Sequence, residues 1–194
     1  MRTLLILVAT VLLAACAASR PTAEFNYVLN AERPAQSAPT LAGATVYVGA
    51  LAIDEPFGQR GFIYRETAHR FVTDPYRGYV APPARQIENR LKEWLIAAGA
   101  TLTQDPNAAS HAIDGRISAL YTELQPEQPR EAVVRLQLAL RNGKTPARQL
   151  AVAGHAPISP MNGDGIAAAA NTALAEALSQ LETALAGESR ATLR

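Results

Sequence analysis

Between residues 112 and 156 apolar and polar side chains alternate, which restricts this part of the chain to a sheet buried on one face. Within 112–124, Ile113, Gly115, Ile117, Ala119 and Tyr121 share a predicted face. Val134, Leu136, Leu138 and Leu140 face inward in the next strand, with Arg135, Gln137 and Arg141 facing out. Asn142-Gly143 is a hairpin turn signal, and 149–156 returns after it. A three-stranded antiparallel meander is predicted. Two stripes have helical spacing instead. Ile87, Leu91, Trp94, Leu95 and Ala98 run from Pro82-Pro83 to a stop at Gly99, and Leu174, Leu178, Leu181 and Leu185 lie within an Ala-rich stretch, 166–186.

Upstream, Phe25, Tyr27 and Leu29 alternate in a brief predicted strand. Residues 32–39 read as loop, 44–53 as a buried strand, and 62–66 as another. Residues 70–72 extend it or form a third strand, and 74–80 read as a Tyr-rich loop. The expected fold is α+β: a mostly antiparallel sheet with two main helices packed on one face, a two-layer α/β sandwich. With 194 residues, 48% of them hydrophobic, the chain has material for one sizeable core. The expected divisions are a signal peptide at 1–15, a tether at 16–23, one domain at 24–187 and a tail at 188–194.

The first sixteen residues carry an address. Arg2 precedes an apolar run from 4 to 13, a signal-peptide length and shorter than the roughly 20 residues of a membrane span. The run ends in Leu13-Ala14-Ala15-Cys16, which reads as a bacterial lipobox. Small residues fit the peptidase beside the scissile bond, and the Cys16 thiol takes the diacylglyceryl thioether. Three acyl chains hold such a cysteine firmly, at about 0.8 kcal/mol per buried CH2. Ala17 rather than Asp follows, which by analogy with enteric sorting favours the outer membrane over the inner, on its periplasmic face. Cleavage removes Arg2, so the 18 basic residues come to match the 17 acidic ones.

Enzymatic signals are weak. His69, His111 and His155 are scattered, with no HExxH. Ser110, His111 and Asp114 are triad residue types along the start of one predicted strand, without a nucleophile elbow. Asn162-Gly163-Asp164-Gly165 lacks the downstream ligands of a calcium loop and reads as a turn before the last helix. With one Cys no internal disulfide forms, and near-neutral charge argues against nucleic acid as a partner. A non-enzyme is expected, with no cofactor and no metal, only covalent lipid on Cys16.

From 57 to 79 the chain interleaves Phe57, Phe62, Tyr64, Phe71, Tyr76 and Tyr79 with Arg60, Arg65, Arg70 and Arg77. Arg and Tyr are enriched at interfaces, while a strand pair with an amphipathic outer face gives the same pattern. Arg60, Arg65, Arg77 and Tyr79 are the candidate docking residues. Tyr64 and Arg65 are neighbours on a strand and must point to opposite faces, so Arg65 is expected outside and Tyr64 inside.

At these residues the chain resembles the PqiC/YmbA-like auxiliary lipoproteins of ABC-type transport systems. The lipobox is followed by Tyr27-Val28-Leu29, by Thr45-Val46-Tyr47-Val48, by Arg60 with Ile63-Tyr64-Arg65, and by 76–82 leading into a helix. Roughly residues 13–100 carry the motifs, and the remainder matches in order of elements. Tyr79-Val80-Ala81-Pro82 stands where many members carry Trp-Ala-Glu-Pro. Tyr27, Leu29, Tyr64, Pro82 and Trp94 are the expected structural positions. The resemblance implies a non-catalytic periplasmic subunit working with an MCE-domain protein, an ABC permease and an ATPase, which move lipid between inner and outer membranes. Homo-oligomers are a further expectation of it. The rival expectation is an adaptor lipoprotein of another envelope assembly or secretion complex.

Anchoring is directly testable. Cys16→Ser should abolish incorporation of labelled fatty acid and leave precursor or soluble product; labelled Cys16→Ser protein would place the anchor elsewhere.

Overall fold

A computed structural model describes residues 25–35 and 37–192. Cys16, the signal peptide and the tether to residue 23 lie outside the described residues. The elements in chain order are β1 (Phe25–Tyr27), β2 (Thr45–Ile53), β3 (Gly61–Thr67), β4 (Arg70–Tyr79), α1 (Pro83–Ala97), β5 (Thr101–Thr103), β6 (His111–Glu123), β7 (Glu131–Asn142), β8 (Arg148–Pro157) and α2 (Gly163–Thr192). α2 therefore continues into the segment expected to be a tail.

The meander β6–β7–β8 is antiparallel as expected, but the eight-stranded sheet as a whole is mixed. β3 pairs antiparallel with β4, whereas β1 with β4, β2 with β5, β2 with β6 and β3 with β6 are parallel pairs. The physical reason is the long edge of β6. One side of it is filled by β7, and the other is shared end to end by β2, against 111–117, and β3, against Thr122 and Glu123. Partners so distant along the chain can return parallel, because α1 supplies a crossover. β5, only three residues long, is too short for alternation to reveal.

A bulge at Ser118 changes which face the end of β6 presents. The β6–β7 register shifts between Ile117 and Ala119, and a bulge reverses the facing of everything beyond it. Leu120 lies opposite Val134, which lies opposite Gly154 beneath α2. Leu120 and Thr122 therefore take the α2 side. Ala119, Tyr121 and Glu123 face away, so Tyr121 does not share a face with Ile113 and Ile117.

α2 packs on β8 and β7, and α1 packs on β2 and β5. Leu174, Leu178, Leu181 and Leu185 are fully buried as expected, together with Ala169, Ala170, Ala173 and Ala177. Gly154 lets the helix approach closely: a Cβ there would sit 1.7 Å from the Ala173 carbonyl oxygen. Both helix ends are encoded. α1 begins at Pro83 and ends on Gly99 at φ +94°, with Gly99 N–H donating to the Ile96 carbonyl and Ala100 N–H to that of Leu95, a Schellman ending. The Asn162 side chain accepts from Gly165 N–H at the start of α2.

Polar side chains of α2 also occupy backbone groups at the sheet's margins. Gln180 both accepts from and donates to Ala153 of β8, and Glu176 accepts from His155 N–H. At the opposite margin Asn171 bonds the Asn30 N–H and the Val28 carbonyl, just beyond β1. Such contacts block pairing with another chain.

Where the helices meet, Glu182 is 8% exposed and accepts four hydrogen bonds: two from Arg33 at 2.8 and 2.9 Å, one from Trp94 Nε1–H at 2.7 Å and one from the Thr40 hydroxyl. The remaining Arg33 donors reach the carbonyls of Ser37, Ala38 and Ala97. Burial pushes the Glu182 carboxyl up, but the donors from Arg33, Thr40 and Trp94 outweigh it and hold its pKa below the ordinary 4.5.

A carboxyl with a depressed folded pKa stabilises the fold above its unfolded pKa, and that contribution fades as pH falls through the folded value. Thermal unfolding should therefore show a destabilisation below about pH 4.5 that Glu182→Gln largely removes. At pH 7 that variant should lose about 3–5 kcal/mol by leaving Arg33 unpaired. Parallel acid limbs in wild type and variant would dissociate Glu182 from the transition.

Candidate docking surface

The Arg- and aromatic-rich stretch divides into packed clusters. Facing α2, Tyr27 stacks on Phe62 with centroids 5.2 Å apart, and Phe62 meets Tyr79 edge-on at 5.1 Å. On the opposite face the β2–β3 loop brings Phe57 to within 6.0 Å of Tyr121 and 5.7 Å of Phe71. This second cluster depends on the Ser118 bulge, without which Tyr121 would point the other way.

Tyr64 and Arg65 point to opposite faces, and both are engaged. Tyr64 packs against the core and donates its hydroxyl to Asp74 Oδ2 at 2.6 Å. Burial and that bond raise the phenol above its ordinary pKa. Arg65 caps the outer aromatic cluster, its guanidinium 5.9 Å from the Phe71 and Tyr121 centroids and Nη1 3.3 Å from Glu123 Oε2. Glu123 is buried, so Arg65 carries a structural task whatever else it touches.

Tyr79 is buried, 5% exposed, and stands in the core instead of on the surface where a docking residue would have to be. The other structural positions lie close by. Leu29 is buried, and its N–H donates to Gln86 Oε1, while the Gln86 amide donates to the Ala81 carbonyl. The Tyr27 carbonyl accepts from Val80 N–H, and Pro82 caps α1. Trp94 is buried on the apolar stripe.

Of the four candidate docking residues, the fold brings together Arg60 and Arg77. They line a groove of about 260 Å³ with Phe25, Asn26, Asp74 and Tyr76. The sequence pattern predicts a loop over 74–80. β4 in fact runs on to Tyr79, where 77–79 pair with β1, but it bulges at Asp74-Pro75-Tyr76, since the register jumps between Gly61–Gly78 and Ile63–Thr73. Asp74 organises the bulge by accepting Tyr76 N–H at 2.8 Å and Arg77 N–H at 3.1 Å. Desolvation raises its pKa, but the Tyr64 hydroxyl and these two N–H groups prevail and lower it. Asp-Pro at 74–75 was the available signal for this residue. Arg60 donates Nε–H to the Tyr79 carbonyl and Nη2–H to Asn26 Oδ1. The groove holds two exposed rings, Phe25 at 55% and Tyr76 at 50%.

The residue types suited to catalysis do not converge. His69 lies at the β3–β4 turn, His111 opens β6, and His155 of β8 bonds Glu131 at 2.8 Å. The Ser110 hydroxyl donates to the Thr45 carbonyl and accepts from Thr45 N–H, tying β6 to β2. Among the described residues no group of three His, Cys, Asp or Glu is placed to hold a metal ion, and no helix is long and apolar enough to cross a membrane.

No family model and no curated protein matches the chain. Solved structures do. A Xanthomonas campestris protein of the DUF330 family superposes with a TM-score of 0.70 over 86% of this chain and 98% of its own, at 12% identity. A second structure, of an uncharacterized protein, gives 0.62 over the same shares at 13% identity. A minor lipoprotein of Acinetobacter baumannii reaches only 0.41 at 14% identity, over 76% of this chain and 94% of its own, too low to weigh. The chain thus has the fold of the DUF330 structure, and at such identity the likeness concerns fold alone.

Arg65→Ala should lower stability by about 1–3 kcal/mol, the cost of leaving a buried acceptor without its partner, and Arg65→Lys should restore part of it. Denaturant unfolding checks this; an unchanged midpoint for Arg65→Ala would show that Glu123 is satisfied without it.

Proposed function

We propose that the chain is a non-catalytic lipoprotein, held by acylated Cys16 at the periplasmic face of the outer membrane. In this reading it serves as the auxiliary subunit of an ABC/MCE-type system that moves lipid between inner and outer membranes. One observation carries the reading. Two motifs of the resemblance, Tyr27-Val28-Leu29 and 76–82, lie far apart in the chain yet meet at one junction of β1, β4 and the start of α1, where Arg60 also bonds the Tyr79 carbonyl; Phe62 and Gln86 complete it through the Tyr27–Phe62–Tyr79 rings, the Val80–Tyr27 hydrogen bond and the Leu29–Gln86 bond. Scattered motifs that converge on one junction are what a shared structural unit leaves in a sequence. The DUF330-type fold over most of the chain and the lipobox agree with it.

The subunit's work is then positional. An anchored domain concentrates a partner near the bilayer by effective concentration, without new chemistry. Affinity purification of the tagged, acylated protein from solubilised envelopes should recover an MCE-domain protein with its permease and ATPase. Recovery of an outer-membrane assembly or secretion complex in their place would favour the adaptor reading and sink this one.

A further inference from the structure

We propose that the groove beside β1 is the face this domain turns toward the bilayer, with phospholipid headgroups as its occupant. The inference rests on the lipid-anchored reading above. Phe25 follows Cys16 by nine positions. At about 3.3–3.6 Å per residue, the intervening chain reaches at most about 30 Å. A compact domain of this size is about 40 Å across. The β1 margin is thus among the parts of the domain held nearest the membrane.

That margin has the chemistry of the interface. Around it Phe57, Phe62, Phe71 and Tyr79 are packed into the two clusters, while Phe25 and Tyr76 remain half exposed. Half-exposed aromatic rings are the side chains that settle at headgroup level. Arg60 and Arg77 flank them on the same groove, and guanidinium groups suit phosphate oxygens. The acidic group of the groove, Asp74, is turned inward to the Tyr64 hydroxyl and the bulge N–H groups, and its Oδ2 also lies 4.0 Å from Arg77 Nη1, so it offsets part of that one cation and leaves Arg60 unopposed by it. The chain's formal charge is only +1, so attraction to phosphate here comes from these two local cations and not from a diffuse field.

The test exploits the lone cysteine. Cys16 is the only one in the chain and is acylated in this reading, so Tyr76→Cys introduces a single free thiol. The acylated protein carrying a polarity-sensitive dye at position 76 is reconstituted on phosphatidylethanolamine–phosphatidylglycerol vesicles. A label at Ile96→Cys, on α1 and also 55% exposed, is the reference. The dye at 76 should emit at shorter wavelength and be at least about threefold less accessible to aqueous iodide than the dye at 96, as expected for a group buried about 5–10 Å in the headgroup region. Arg60→Glu with Arg77→Glu should cancel the difference, and Phe25→Cys should reproduce it if the Tyr76 variant misfolds. Equal quenching at 76 and 96 on vesicles that float overturns the inference and leaves the anchor standing. Protein that does not float with vesicles overturns the anchor and the inference together. Shielding at 76 that appears only when envelope proteins are added assigns the groove to a protein partner and also overturns it.

Discussion

Three separate stretches of this chain are held by one buried ion pair. Arg33 and Thr40 come from the segment after β1, Trp94 and the Ala97 carbonyl from the end of α1, and Glu182 from the middle of α2. A carboxylate removed from water is tolerable only when its lone pairs are occupied, and here both oxygens are. The contact therefore demands a specific arrangement. α1 must end where Trp94 reaches α2, and 33–40 must fold back over the pair. A purely apolar junction would have allowed the helices to slide; two charges with directional donors do not.

From that junction α2 organises the margins of the sheet. Its leucine and alanine stripe lies on β7 and β8, and its polar residues occupy backbone groups that an edge strand would otherwise present. Asn171 does the same beside β1. One helix thus buries the core and closes two margins. The bulged part of β4 next to Phe25 lines an open groove, where Asp74 bends the strand away from regular pairing.

The aromatic and arginine residues between 57 and 79 show how one composition serves different ends. Most of the rings are packing, and Arg65 neutralises a buried glutamate against two of them. Arg60 and Arg77 remain at the groove with Phe25 and Tyr76. The groove is therefore smaller than the enriched stretch, and it sits beside β1 at the start of the described residues.

Periodicity alone identified the meander, both helices and their buried stripes, because a face that must be buried imposes its repeat on the residues that form it. Helix ends were legible for the same local reason, in Pro83 and Gly99. The sequence could not show which strands pair in parallel, since β2 and β3 find β6 across more than fifty residues and no local pattern records that distance. Nor could it show the bulge at Ser118, which is set by pairing with β7 and moves Tyr121 to the other face. The candidate site followed suit. Arg60 and Arg77 could be named from composition, but only the tertiary structure drew Tyr79 into the core, tied Arg65 to Glu123 and brought Phe25 beside Tyr76. The lipobox is a linear signal that needs no fold. The groove exists only because strands far apart in the chain were brought to one margin, where burial and hydrogen bonding decided which side chains stayed outside.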